Sequence, residues 1–522
     1  MSKDQQVHKR MLLNVRTDVG ARVLYLFTRF FIPPFVLAHI GMEAYGFYGT
    51  VFILVAYIGV STVGFSNAYI KYVAEYAAGG QYEKANGILS AGIFVTSPVA
   101  LLVFLGFTTL WSRIAVVMKV PVALNADARF LTFTIVGSFL MCLGLSAYRD
   151  ALSGLQMIAT VQKIWIASFV AETILIFTLV GRGWGLKGMG VAFLVRSIID
   201  LGASAVVAIR YVPWLRVSPR MVSREALRKL FGFGSIVQIN SMLAIFLNTI
   251  ERVIAAPVVG LQAAGLLDIS TKLPYMALSL PSAFAGAALP SVSDLHGRDN
   301  TEENRTASVR GLYLVCSRYM SGMAGSLLGF MAVFTVPMLL FWLKKLPDGA
   351  PLLMLVFAVA SQVHLMTGPG TSMMKGIGRP RMEFHYSLAN VVTLCLLVPL
   401  SRFIFGSWSA KSIGVGVASA TVCAAIYFIS IANRTLGVSA GTYLKNTIWP
   451  GFVPYLAAAS TWLFLRVLPM PEGRIRIGFW LCFASLIYGG ILAAYWWMFS
   501  ATQAEKEAVR NRLWIVRRFV PA

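Results

Sequence analysis

Charge is what this sequence has least of. Asp, Glu, Lys and Arg make up 13% of its 522 residues, about half the share carried by soluble globular chains. That scarcity excludes a large water-soluble domain, and no gap between the apolar stretches is long enough to hold one. Acids are the rarer sign, 21 against 45 bases. No acid cluster of the kind that sugar transfer or metal chemistry needs falls in the short outer loops, which excludes a glycosyltransferase, polymerase or ligase. Cysteine is also sparse. Cys142, Cys316, Cys395, Cys423 and Cys482 all lie in apolar windows without CxxC or Cys/His spacing, so neither a disulfide framework nor a metal centre is expected. No enzyme activity and no cofactor follow from these absences.

What is present is apolar surface: 57% hydrophobic residues and a mean hydropathy of +0.72. A spanning helix takes roughly 20 mainly apolar residues, and such windows recur along the whole chain. The sequence predicts an all-α, polytopic membrane protein of about 14 spans. They are placed at 18–40, 45–66, 88–110, 130–150, 163–181, 186–209, 231–251, 263–290, 312–342, 351–374, 384–405, 412–432, 448–468 and 477–499. Turns at the membrane surface are marked by Gly181-Arg-Gly-Trp-Gly185, Leu346-Pro-Asp-Gly349 and Pro469-Met-Pro-Glu-Gly473. The first apolar stretch carries Arg22 and Arg29 and lacks a small-x-small cleavage site, so it is expected to remain as the first helix.

The formal charge of +24 would suit nucleic acid in a soluble chain. In a membrane protein, basic residues gather in short cytoplasmic loops, and the charge is read here as topology, with no nucleic-acid partner. Assigning Lys and Arg to alternate sides leaves about twice as many with the termini as opposite them, which places both termini in the cytoplasm. Two basic segments look interfacial rather than spanning. Ser223-Arg-Glu-Ala-Leu-Arg-Lys-Leu opens on a capping serine and a first-turn acid. The tail sets Leu513, Trp514, Val516 and Phe519 among Arg510, Arg512, Arg517 and Arg518, a match for anionic headgroups.

An internal repeat divides the chain. Gly41-Met-Glu-Ala-Tyr-Gly46 is echoed by Gly260-Leu-Gln-Ala-Ala-Gly265, Gln81-Tyr-Glu-Lys-Ala-Asn86 by Asn300-Thr-Glu-Glu-Asn-Arg305, and Gly188-Met-Gly-Val-Ala192 by Gly414-Val-Gly-Val-Ala418. The offset spans six helices, so the halves run in the same direction. The organisation expected is an N-terminal lobe at 1–210, a basic linker at 211–229, a C-terminal lobe at 230–435, two further helices at 436–500 and a tail at 501–522. Two six-helix lobes enclose a cavity suited to alternating access.

Ionisable groups inside spans cost about 2.5 to 3.5 kcal/mol each at the centre, so they should face a wet cavity or a partner. Asp18, Arg22 and Arg29 share one face of the first span, and Pro33-Pro34 is expected to kink it. Arg196 and Asp200, and again Asp268 and Lys272, are one turn apart, a spacing that fits either a local salt bridge or a cavity. Arg318 enters the ninth span, near enough to a surface to snorkel. His364 reads as a satisfied buried histidine, and Glu251-Arg252 as an outer helix end. Glu172 has no base within a turn: it either meets a cation from another helix or titrates, coupling transport to protons or sodium; Asp268 shares that second role. Among the deepest groups, Arg22, Arg29, Arg196, Lys272 and Arg318 outnumber the acids. A positive cavity follows, suited to a pyrophosphate or acidic sugar and hostile to a cationic drug.

These residues resemble the Wzx-type polysaccharide-biosynthesis flippases, within the multidrug/oligosaccharidyl-lipid/polysaccharide exporter superfamily. The likeness lies in Gly41-Met-Glu-Ala-Tyr-Gly46, in Ala68-Tyr-Ile-Lys-Tyr-Val-Ala-Glu75 with Glu83-Lys84, and in Val259-Gly-Leu-Gln-Ala-Ala-Gly265 leading to Asp268-Ile-Ser-Thr-Lys-Leu273 and Leu289-Pro290. Gly376-Ile-Gly-Arg-Pro380 adds to it. The resemblance implies a two-lobed inner-membrane flippase moving a polyprenyl-pyrophosphate-linked oligosaccharide, commonly by proton or sodium antiport, beside a polysaccharide polymerase and a chain-length regulator. It fits Arg22, Arg29 and Lys272 as lumenal bases. A small-molecule or multidrug exporter of the same superfamily is the alternative reading.

Overall fold

The computed structural model describes residues 3–230, 245–247, 249–279, 281–282, 302–377, 379, 381–503 and 505–507. Among them every regular element is helical. Among the described residues, ten helices are long and apolar enough to cross a membrane, or eleven if one bent pair counts as a span. Of the spans expected from sequence, 231–251 and 263–290 fall partly outside the described residues, and 18–40 and 45–66 lie on two helices that meet at Gly41. The chain divides into two compact units, Met1–Asp268 and Ile269–Ala522.

In the first unit, α1 (Lys3–Ala78) is two helices joined across Gly41, whose φ of 77° and ψ of 169° are not helical. The expected kink at Pro33-Pro34 is therefore corrected: both prolines stay inside the helix, and the break comes where glycine can take a positive φ. After it come α2 (Tyr82–Thr109), the short α3 (Trp111–Val117), α4 (Asn125–Gly154), α5 (Ile158–Leu175) and α6 (Gly185–Tyr211). A π-helical turn at Ile176–Val180 extends α5 to the turn before α6. Then come α7 (Ile250–Val258) and α8 (Leu261–Ala277), whose start follows Gly260. α4 is the centre, packed on α1, α2 and α6. Its inner face is largely small residues, Ala147, Ala151, Gly144 and Gly154, which bring backbones close without side-chain bulk. On α2, Leu101 and Leu102 are 59% and 69% exposed, a face only lipid would cover.

The two repeat motifs meet inside this unit. A methyl group placed on Gly46 would strike the Leu261 carbonyl, and one on Gly265 would come within 2.7 Å of the Met42 carbonyl and 3.1 Å of Gly46. Met42 and Leu261, like Gly46 and Gly265, are equivalent positions of the repeat. The contact is thus reciprocal, as about a local two-fold, and its closeness explains why glycine stands at both sites.

In the second unit, α9 (Glu302–Val333) and α10 (Thr335–Leu343) are bent by 78° at Phe334. The span expected at 312–342 is this bent pair. α11 (Ala350–Leu365) and α12 (Thr367–Gly376) follow, then α13 (Arg381–Phe405) and α14 (Ala410–Thr435). Ser409 and Ser412 form a capping box at the start of α14. α15 (Ala440–Tyr443) passes through a π-helical turn into α16 (Trp449–Leu465), and α17 (Arg474–Tyr495) ends in another at Trp496–Ser500. α9 packs on α16 through Gly325, Gly329 and Gly451.

Candidate functional site

The intramembrane charges of the first unit fall into three groups. In the first, α5 presents Trp165, Phe169 and Glu172 on one face, and α6 brings Arg196 across to it. Arg196 Nη1 donates to Glu172 Oε2 at 2.9 Å, with 19% and 8% of the two side chains exposed. The guanidinium lies 5.2 to 5.9 Å from the ring centroids of Phe169, Trp165 and Phe193. Glu172 therefore meets a cation from another helix. Arg196 turns to it and not to Asp200, its neighbour in sequence.

Arg29, from α1, belongs to the same group. It lies 5.0 Å above the Tyr25 ring, which in turn packs on Phe169 at 5.9 Å and Trp165 at 6.4 Å. Electrostatically it couples to Glu172 and Tyr48. Among the described residues it has no carboxylate within 4.0 Å, and its Nε is buried without a hydrogen-bond partner. With Arg196 and Glu172 it leaves one positive charge in an aromatic setting.

In the second group, Arg149 of α4 takes Asp200, Nη1 to Oδ2 at 3.2 Å, and also lies 3.7 Å from Asp150. In the third, Arg252 of α7 is held by Asp268 and lies 3.3 Å from Glu251, while the Tyr45 hydroxyl donates to Asp268 at 2.6 Å. Glu251 is 0% exposed, and neither carboxylate oxygen has a hydrogen bond among the described residues. Glu251-Arg252 stands in the first turn of α7, a helix end as expected, but the pair is buried rather than at a surface and forms one of the most deeply buried charge clusters described. Lys272 is half-buried one turn beyond Asp268 on α8.

In the second unit, Arg318 is 7% exposed. It donates to the Ser500 carbonyl and, at 3.0 Å, to Glu505, and it faces the Trp496 ring at 5.6 Å. Its charge secures the C-terminal segment. His364 Nδ1 lies 2.5 Å from the Tyr386 hydroxyl, a satisfied histidine as expected, though half-buried rather than buried. The side chains of Asp18 and Arg22 lie outside the described residues.

Sequence reasoning passed over Arg149, Asp150, Tyr45 and the burial of Glu251. Adjacent opposite charges inside an apolar window were the available signal at Arg149-Asp150 and Glu251-Arg252; Tyr45 carried none. The positive interior expected from counting is also more local than expected. Among the described intramembrane groups of the first unit, five acids (Asp150, Glu172, Asp200, Glu251, Asp268) stand against Arg29, Arg149, Arg196 and Arg252, and positive charge is in surplus around Arg29. No cluster of three or more metal-ligating side chains occurs among the described residues.

Residues 29–296, just over half of the chain, match the family described as Polysaccharide biosynthesis protein. The chain belongs to that family. As a polysaccharide biosynthesis protein it is 23% identical to the membrane protein EpsK of Bacillus subtilis (strain 168), across 96% of this chain and 98% of EpsK. It is 22% identical to the probable flippase AglR of Haloferax volcanii, across 59% of this chain and 61% of AglR. Among solved structures, its fold is similar to the lipid II flippase MurJ in an inward closed conformation, with a TM-score of 0.69 at 11% identity over 93% of this chain and 99% of MurJ. It is also similar to an inward-facing multidrug resistance transporter of the MATE family, with a TM-score of 0.64 at 11% identity over 78% and 94%. At these identities the likeness to the structures is one of fold.

Proposed function

We propose that this chain is a flippase that carries a polyprenyl-pyrophosphate-linked oligosaccharide repeat unit across the inner membrane for O-antigen, capsule or exopolysaccharide synthesis. Transport by alternating access, without bond chemistry, is its whole activity. The observation that carries the reading is Arg29, a guanidinium in an apolar span with no carboxylate beside it among the described residues. Such a group is stabilised by a partner that brings its own negative charge, and a guanidinium fork suits phosphate oxygens. Tyr25, Trp165 and Phe169 around it offer ring faces for the sugars. Membership of a polysaccharide-biosynthesis family supports the glycan part of the cargo, and the flippase names of AglR and MurJ support the lipid-linked part.

Arg22, Arg196, Lys272 and Arg318 are the further bases that we assign to binding of the cargo. Coupling to protons or sodium is assigned to Asp268 and its neighbour Glu251, two carboxylates that share the one base Arg252, ahead of Glu172, which has Arg196 as its own partner. Both termini face the cytoplasm, and a polymerase and chain-length regulator receive the product outside. A multidrug exporter shares the fold, but a cationic drug would meet the surplus charge of Arg29. The test is transport by purified protein in proteoliposomes, offering a fluorescent polyprenyl-pyrophosphate oligosaccharide and a cationic dye in parallel. Movement of the lipid-linked sugar supports the proposal; movement of the dye alone would replace it with the exporter.

A further inference from the structure

The linker that leaves α6 is tied down along α2. Asn86 Nδ2 donates to the Trp214 carbonyl at 2.8 Å and its Oδ1 accepts from the Arg216 amide at 3.1 Å, while Ser90 Oγ accepts from the Ser218 amide at 3.1 Å. Ser223 Oγ then accepts from the Ala226 amide at 3.1 Å, capping a new helical turn as the sequence suggested. Between this turn and the start of α2 lies a cavity of about 390 Å³, lined by Tyr76, Glu83, Lys84, Arg220, Glu225 and Lys229 among others. That volume is within the range of small-molecule sites.

Two features describe its occupant. The first is position. The cavity lies where candidate spans Tyr82–Thr109 and Gly185–Tyr211 begin and end, beside Tyr82 stacked on Trp214 at 4.7 Å. Paired Tyr and Trp rings at span ends are typical of the headgroup level. The second is charge. Lys84 and Arg220 are exposed and have no carboxylate partner among the described residues. Glu225 is held by Lys229 at 2.8 Å, and Lys229 also donates to the Tyr76 hydroxyl at 2.7 Å. That hydrogen bond keeps the Glu225 carboxyl below its usual range, so it is ionised at neutral pH. Three cations thus face two carboxylates. A dianionic pyrophosphate would pay repulsion from Glu83 and Glu225, whereas a ligand carrying both signs would find a partner for each.

We propose that this cavity binds the headgroup of a zwitterionic, primary-amine phospholipid, its phosphate on Lys84 and Arg220 and its ammonium on Glu83 and Glu225. A primary ammonium brings three N–H donors to the carboxylates, and a quaternary one brings none. The site is independent of the translocated cargo and fastens the linker to the bilayer.

Native mass spectrometry of the full-length protein, titrated with phosphatidylethanolamine, phosphatidylcholine or phosphatidylglycerol of matched chains, tests it. Phosphatidylethanolamine should be retained about tenfold better than either other lipid, and Arg220→Gln should remove about that factor, the worth of one charge-assisted hydrogen bond. Glu83→Gln should shift the preference toward phosphatidylglycerol. Equal or better retention of phosphatidylglycerol by wild type, or retention of phosphatidylethanolamine unchanged by Arg220→Gln, would overturn the proposal. Glycerophosphoethanolamine is the soluble arm: binding as tight as that of the lipid would assign the site to a free metabolite and overturn the lipid assignment.

Discussion

Replacing Glu172 by Gln leaves the Arg196 guanidinium in place while removing the charge it faces. The pair is 2.9 Å apart with 8% of the Glu172 side chain exposed, and breaking a buried ion pair from one side costs about 3 to 5 kcal/mol. A unit of this size loses about 2 °C in Tm per kcal/mol, so Glu172→Gln should melt about 6 to 10 °C below wild type in detergent micelles. The matching control removes both charges. Glu172→Leu with Arg196→Met takes away the desolvation penalty together with the attraction, and by the same physics should melt close to wild type. The aromatic setting of Phe169, Trp165 and Phe193 suits those replacements. A Glu172→Gln variant within a degree of wild type, or a double variant less stable than either single change, would refute the assignment of Glu172 as the structural partner of Arg196. In that case the carboxylate would have to be titrating during transport.

Two further predictions concern packing and pH. Gly46→Val places a side chain against the Leu261 carbonyl and should cost about 1 to 3 kcal/mol by overpacking, read as a fall in Tm, while Gly20→Ala, with open space around it, should be silent. Glu505 is pushed up by burial, but the Thr502 amide, the Tyr319 hydroxyl and Arg318 more than offset this and hold its carboxyl below the usual range. A depressed value stabilises the folded contact above the ordinary carboxylate pKa and loses that support as pH falls through the lowered one. Fluorescence of Trp496 and Trp497 should therefore stay constant down through the ordinary carboxylate range and change only below it, and Glu505→Gln should abolish the acid transition.

The spans and the family were legible because hydropathy and glycine-centred repeats are carried locally in the chain. The pairing of charges was not. A spacing of four residues puts Asp200 within reach of Arg196, but three helices meet there, and Arg196 takes Glu172 from α5 while Asp200 takes Arg149 from α4. Glu251 illustrates the same limit. It stands at the helix end that its sequence neighbours suggest, but its burial was not legible: Asp268 from the next helix, itself bonded by Tyr45 of α1, holds the Arg252 beside it. The repeat could be read as two echoing motifs, but that Gly46 and Gly265 meet face to face depends on how α1 and α8 cross. Counting bases against acids gave a positive interior, whereas among the described groups of the first unit five acids face four bases, and positive charge is in surplus around Arg29.

The central claim is that Arg29 holds the phosphate of a lipid-linked sugar, and the most direct measurement is the flipping rate of a fluorescent polyprenyl-pyrophosphate oligosaccharide in proteoliposomes of wild type, Arg29→Lys and Arg29→Ala. One lost charge-assisted hydrogen bond of about 1.5 to 3 kcal/mol predicts a rate about ten- to a hundredfold lower in Arg29→Ala, with partial rescue by Arg29→Lys. An Arg29→Ala protein that remains folded and flips at the wild-type rate would contradict the account.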